Sequence, residues 1–142
     1  MRSCQLVVAA AGAALLLAAC GIPAAGPGME PGADCMSCHS GGIAPAWTAS
    51  GTLFTDPASA ADGGLEGAQV IITDNGGREL TLTTNSAGNF YTAESLAFPI
   101  HVQAQFGAHR MAMSSTSQSG SCNSCHAAPG LLGAPGRLFV AP

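Results

Sequence analysis

Two short segments of the sequence place two cysteines and a histidine at the same spacing. They read CMSCH at residues 35–39 (the first motif) and CNSCH at residues 122–126 (the second motif). This spacing is typical of covalent haem attachment, in which each thiol adds to a vinyl group and the adjoining imidazole binds the iron. The predicted attachment residues are Cys35, Cys38, Cys122 and Cys125, and the predicted iron ligands are His39 and His126.

Two other kinds of site use the same cysteines. Two local disulfides are possible in an exported chain, but they give no reason for a histidine at the same offset in both motifs. A single zinc site could be built from both cysteine pairs, although residues 39–121 form a far longer spacer than zinc-ribbon sites have. Both alternatives stay open at this point, and paired haem attachment accounts for more of the pattern.

Each iron also needs a ligand on its other side if it is six-coordinate. Outside the motifs the chain has two histidines, His101 and His109, which matches the number of irons. We therefore expect histidine at both positions, with Met111 or Met113 as the competing ligand that would raise the reduction potential.

The coordination state separates two kinds of function. Six-coordinate irons leave no position for a substrate, which favours an electron carrier. A five-coordinate iron would permit peroxide reduction or gas sensing. The pair His109-Arg110 is the sole candidate in the sequence for the distal acid/base and charge stabiliser of a peroxidase. An electron carrier without enzymatic activity is therefore favoured, and a haem peroxidase or haem-based sensor is the alternative.

The segments between the motifs have the pattern of β-strands. Residues 68–73 are apolar and β-branched, the Asn/Gly-rich turn at 74–77 suits a tight hairpin, and residues 78–84 alternate apolar and polar side chains. A second alternating run follows Pro99 and leaves His101 on the face away from the core, and a short strand is predicted at 109–113. We predict a mainly β protein, an antiparallel β-sandwich flanked by two haem-binding loops.

Residues 67–91 resemble the transthyretin-like, carboxypeptidase-regulatory type of β-sandwich module. The resemblance implies the same fold and, because most such modules are non-catalytic spacers, little about function. It is carried by Gly67, Val70, Ile72, Asp74, Gly88 and Phe90.

The N-terminus has the layout of a secretory signal. Arg2 precedes the apolar run Gln5–Ala19, which is shorter than a membrane-spanning helix, and Cys20 follows Leu-Ala-Ala. This resembles the lipobox of bacterial lipoproteins, which implies acylation of Cys20 and anchoring to a bilayer, with Gly21 favouring the outer membrane. An ordinary cleaved signal is the alternative. We predict a signal peptide at 1–19, a Pro/Gly-rich tether at 20–34 and one domain at 35–142.

Composition narrows the choice of partners. The charged fraction is 8 %, all four positive side chains are arginines, and the formal net charge is −4. Nucleic-acid binding requires clustered positive charge and is not expected. The sequence therefore resembles an exported dihaem c-type cytochrome that transfers electrons between redox partner proteins, in the periplasm or at the cell surface. A structural surface lipoprotein is a further alternative.

Overall fold

The computed structural model describes residues 29–140, and this part of the chain is mainly β-structure. The predicted signal peptide and Cys20 lie outside the described residues. The first cysteine pair lies in a 3-10 turn at Cys35–Ser37 and at its C-cap, Cys38, and the second lies in a four-residue helix, α1, at Cys122–Cys125. The strands are β1 Ala49–Phe54, β2 Gln69–Thr73, β3 Glu79–Thr83, β4 Asn89–Thr92, β5 His101–Phe106, β6 His109–Ala112 and β7 Leu138–Phe139.

The strands form two sheets. The larger has the order β3-β2-β5-β6, and the smaller has the order β4-β1-β7. Every neighbouring pair is antiparallel except β1 and β7, which run parallel. The architecture confirms the predicted mainly β fold with an antiparallel β-sandwich, and the strands expected at 68–73, 78–84 and 109–113 are present.

Strand β5 shows why the alternation in the sequence was informative. Ile100, Val102 and Ala104 are buried, with exposed fractions of 0 %, 5 % and 7 %. The residues between them, including His101, are only half buried. Period-two burial of this kind is expected for a strand with one face on a core, and it leaves the His101 side chain on the opposite face.

Strand β1 is the element that the sequence analysis missed. Its six residues, ASGTLF, are all buried, so no alternation between apolar and polar residues marks it. One edge pairs with β4 over Ala49–Thr52. Along the other edge, Ser50 donates its N–H to the carbonyl of Gly120 at 2.9 Å, and β7 pairs farther on at Leu53 and Phe54. The second motif therefore begins at the edge of a buried strand.

Two turns within residues 67–91 require glycine. In the β2–β3 hairpin the Asp74 carboxylate accepts N–H groups from Gly76 and Arg78, and Gly77 has a φ of +81°. Backbone hydrogen bonds, from Ala97 first and then Arg78, lower the pKa of Asp74. Gly88 has a φ of +76°, and a Cβ there would lie 2.4 Å from a backbone oxygen, so only glycine fits.

The segment before the first motif packs on the smaller sheet. The carbonyl of Met29 accepts a hydrogen bond from the Asn89 side chain at 2.6 Å, and Gly32 donates its N–H to the Thr52 hydroxyl at 2.9 Å. Residues 29–34 thus bring the first motif to β1. Within 29–140, the helices are all too short to cross a bilayer.

Candidate functional site

The first motif folds into a single tight turn. The Asp34 carboxylate accepts the N–H of Met36 at 3.1 Å and caps the turn. His39 donates its N–H to the carbonyl of Cys35 at 2.9 Å. This four-residue hydrogen bond places the imidazole one helical turn beyond the first cysteine of the pair.

The second motif has the same local hydrogen bond although its first intervening residue is Asn123 and not a methionine. His126 donates its N–H to the carbonyl of Cys122, also at 2.9 Å. The Ser124 hydroxyl donates to the carbonyl of Ser121 at 2.6 Å, within the same turn. Both motifs therefore present two thiols and one imidazole from one turn of backbone.

The two motif imidazoles are held in the same way. Nδ1 of His39 lies 2.9 Å from the carbonyl oxygen of Pro45, and Nδ1 of His126 lies 3.1 Å from that of Gly136. Since a carbonyl can only accept, Nδ1 must carry the proton in each ring, and Nε2 is the nitrogen with a free lone pair. A backbone carbonyl on the remote N–H is the usual support of a metal-binding histidine.

Aromatic rings fix the orientation of the first imidazole. The rings of His39 and Trp47 stack with centroids 3.4 Å apart and planes 5° from parallel. Trp47 stacks in turn on Tyr91, with centroids 4.2 Å apart. Tyr91 is 48 % exposed. The three stacked rings of His39, Trp47 and Tyr91 therefore extend from the first motif to the protein surface.

The four thiols are free, and the first cysteine of each pair is the more protected. Burial raises the pKa of Cys35, against a hydrogen bond with Ser50 that lowers it. Burial, followed by the neighbouring charge of Cys35, raises the pKa of Cys122 to about 12. Within residues 29–140 no three His, Cys, Asp or Glu side chains form a group able to hold a metal ion. The structure therefore does not assemble the two pairs as one zinc site.

The two motifs contact each other. The Ser121 hydroxyl donates to the Asp34 carboxylate at 2.5 Å, and the Asn123 amide donates to the carbonyl of Ala33 at 2.8 Å. These residues flank Cys35 and Cys122 in the chain. No local pattern in either motif indicates that segments so distant in the chain lie side by side.

A cavity of about 370 Å³ opens beside the second motif. Its wall includes Cys125 and His126, and its apolar part includes Leu131, Leu132 and Met111, which are 57 %, 86 % and 44 % exposed. Exposed large apolar side chains next to an imidazole are a surface suited to a flat apolar group.

Arg137 adds a positive charge to this cavity. Its guanidinium lies over the Phe54 ring, 4.3 Å from the centroid. Nε and Nη1 are buried and have no hydrogen-bond partner within residues 29–140. The one ion pair in that range joins Arg78 and Glu94. An arginine that lines a cavity and has no ion-pair partner within the described residues suits a ligand that carries carboxylates.

The candidate distal ligands fall in different places. Met111 and Met113 line the same cavity as His126, and the thioether of Met113 also packs against the core. Neither His101 nor His109 is among the described residues that line it. Nε2 of His101 lies 2.9 Å from the carbonyl oxygen of Met113, while His109 is exposed at the start of β6.

Comparisons with known proteins identify no relative of this chain. No protein-family model matches the sequence, and no curated protein and no solved structure is significantly similar to it.

Three functional candidates were not found from the sequence. Asn123 and Arg137 acquire their roles from tertiary contacts that no local pattern encodes. Trp47 is the single tryptophan of the chain and lies eight positions after His39. This closeness in the sequence was the one indication that it could contact the first motif.

The pKa of Cys122 predicts its reactivity in the folded chain prepared without haem. The thiolate is the reactive form, so a pKa of about 12 instead of 9.0 leaves roughly 1,000-fold less thiolate at pH 8. We expect iodoacetamide to modify Cys122 very slowly at pH 8, faster as pH rises, and at an ordinary rate in urea. Site-resolved mass spectrometry measures this. Equal rates in buffer and in urea would contradict the burial of this thiol.

Proposed function

We propose that the protein is a dihaem c-type cytochrome that transfers electrons between redox partner proteins. The observation that carries the proposal is the matching support of the two motif imidazoles. Each donates Nδ1–H to a backbone carbonyl and keeps Nε2 for a metal, although the supporting residues, Pro45 and Gly136, come from different segments. Disulfide formation would require no such support.

In this proposal the chain holds each haem by two thioether bonds and one nitrogen. At each cysteine the S–H bond breaks, sulfur bonds to a vinyl carbon and the hydrogen passes to the other vinyl carbon, so the addition consumes no oxidant or reductant. His39 and His126 bind the irons through Nε2. The haem iron supplies one-electron chemistry by changing between its ferric and ferrous states.

The surroundings of the second motif fit this cofactor. Leu131 and Leu132 offer apolar area for the macrocycle, and Arg137 offers a cation for its carboxylates. We propose that Arg137, which lines this cavity, neutralises a haem propionate.

The same cavity favours electron transfer over peroxidase chemistry. The one distal pair suggested by the sequence, His109-Arg110, lies on the exposed strand β6. The Arg110 guanidinium donates to the Gln105 side chain at 2.6 Å, and neither residue of the pair belongs to the wall of the His126 cavity. The thioether of Met111, which is on that wall, would instead occupy the sixth coordination position of the iron.

The experiment that tests the proposal is the haem content of the exported protein. Purified protein should keep its chromophore through acid-acetone extraction, and a pyridine haemochrome assay should give two haems per chain. The double variant C122A/C125A should retain one haem, because the first motif is untouched. A colourless wild-type protein with two disulfides would overturn the proposal.

A second prediction concerns the ligand opposite His126. Met111 is exposed on the cavity wall, whereas Met113 packs partly into the core. We expect the oxidised protein to show the far-red charge-transfer band of methionine-bound ferric haem, lost in M111L and kept in the matched variant M113L. The reduction potential of that haem should fall in M111L. If the band is absent and His101→Ala or His109→Ala makes the second haem high-spin, histidine is the ligand. The same two variants test these histidines at the first iron.

A third prediction concerns location. We propose that acylated Cys20, which lies outside the described residues, anchors the protein in the cell envelope. The identity of Gly21 favours the outer membrane. Cys20→Ala should release the protein from the membrane fraction or leave the precursor uncleaved, with its haem content unchanged. Normal cleavage together with unchanged membrane association would rule out the lipid anchor.

A further inference from the structure

Asn123 occupies an unusual position for a residue within a cofactor-attachment motif. It is the first intervening residue of the second motif and is 3 % exposed. Its Oδ1 accepts the N–H of Thr52 at 3.1 Å. Its Nδ2 donates to the carbonyl of Ala33 at 2.8 Å and to the Thr52 hydroxyl at 3.1 Å. One buried amide therefore bonds strand β1 and the segment that leads into the first motif.

A second contact joins the residues that immediately precede the two motifs. The Ser121 hydroxyl donates to the Asp34 carboxylate at 2.5 Å. Ser50 of β1 hydrogen-bonds to the Cys35 side chain and donates its N–H to the carbonyl of Gly120. Both motifs are thus held by the same stretch of β1, through Ser50 and Thr52, and their first cysteines are neighbours.

This arrangement constrains any group attached at both motifs. A thioether places a single sulfur between Cβ and the edge of the macrocycle. Since Cys35 and Cys122 are neighbours, the edges attached to them must approach each other as well. The attachment geometry leaves little freedom to separate the two groups without breaking the contacts of Asn123.

We infer that Asn123 is a positioning residue that clamps the two motifs together, so that the two haems form one magnetically and electrostatically coupled pair. The inference rests on the proposed function, since it requires haem at both motifs. Its physical consequence is that an electron on one haem disfavours an electron on the other, because like charges at short range repel strongly where water is excluded. The pair then titrates as a unit with two macroscopic potentials.

The test begins with wild-type protein in which a haemochrome assay gives two covalent haems per chain. Electron paramagnetic resonance of the oxidised protein should show signals broadened by the interaction of the two ferric haems. In a reductive titration, the signal of the remaining ferric haem should sharpen once its neighbour becomes diamagnetic. Two unchanging signals that disappear independently would overturn the inference and leave the proposed function intact. Fewer than two haems would instead count against the proposed function.

The role of Asn123 is tested by Asn123→Asp, which keeps the acceptor and loses both amide donors. We expect narrower ferric signals and a smaller separation between the two potentials than in wild type. Asn75→Asp is the matched control, because it makes the same amide-to-carboxylate change at an exposed position of the β2–β3 turn, and it should keep the wild-type coupling. Equal coupling in N123D and wild type would refute the clamp. If N123D does not mature, the wild-type titration still decides whether the haems are coupled.

Discussion

The hydrogen bonds along the edge of strand β1 that lies opposite β4 determine where the two motifs lie. A buried strand must pair its N–H groups on both edges, because an unpaired buried donor is costly. β4 occupies one edge. The other is completed in pieces, by the carbonyl of Gly120, by the side chain of Asn123 at Thr52 and by the short strand β7. The β-sandwich is therefore complete only when the second motif is docked, so the fold and the candidate site form together.

The docked motif in turn determines the position of the first. Ala33 and Asp34 accept hydrogen bonds from Asn123 and Ser121, which fixes the turn that holds Cys35. A scaffold of two sheets thus brings together two segments that are far apart in the chain. The same scaffold supplies the carbonyl that orients His126 and the Trp47 ring that orients His39. Two motifs docked on one strand would suit the proposed role, in which two groups keep a fixed separation while charge moves between them.

The sequence predicted the larger sheet well and the smaller sheet poorly, for a physical reason. Strands such as β5 have one face on the core and one toward solvent, so their side chains alternate and can be recognised. β1 is buried on both faces and contains small polar residues whose hydrogen bonds are tertiary, so it carries no periodic signal. The motif cysteines and histidines could be identified because their spacing is local. The roles of Asn123 and Arg137 could not, because they depend on contacts with residues distant in the chain.

The central claim, that both motifs carry covalent haem, is tested most directly by the intact mass of the denatured protein after export from a host that attaches haem. The account predicts a mass equal to that of the processed polypeptide plus two haem groups, with the additions located on peptides containing Cys35 and Cys38 and on peptides containing Cys122 and Cys125. A mass equal to that of the polypeptide with free or disulfide-bonded cysteines would contradict it.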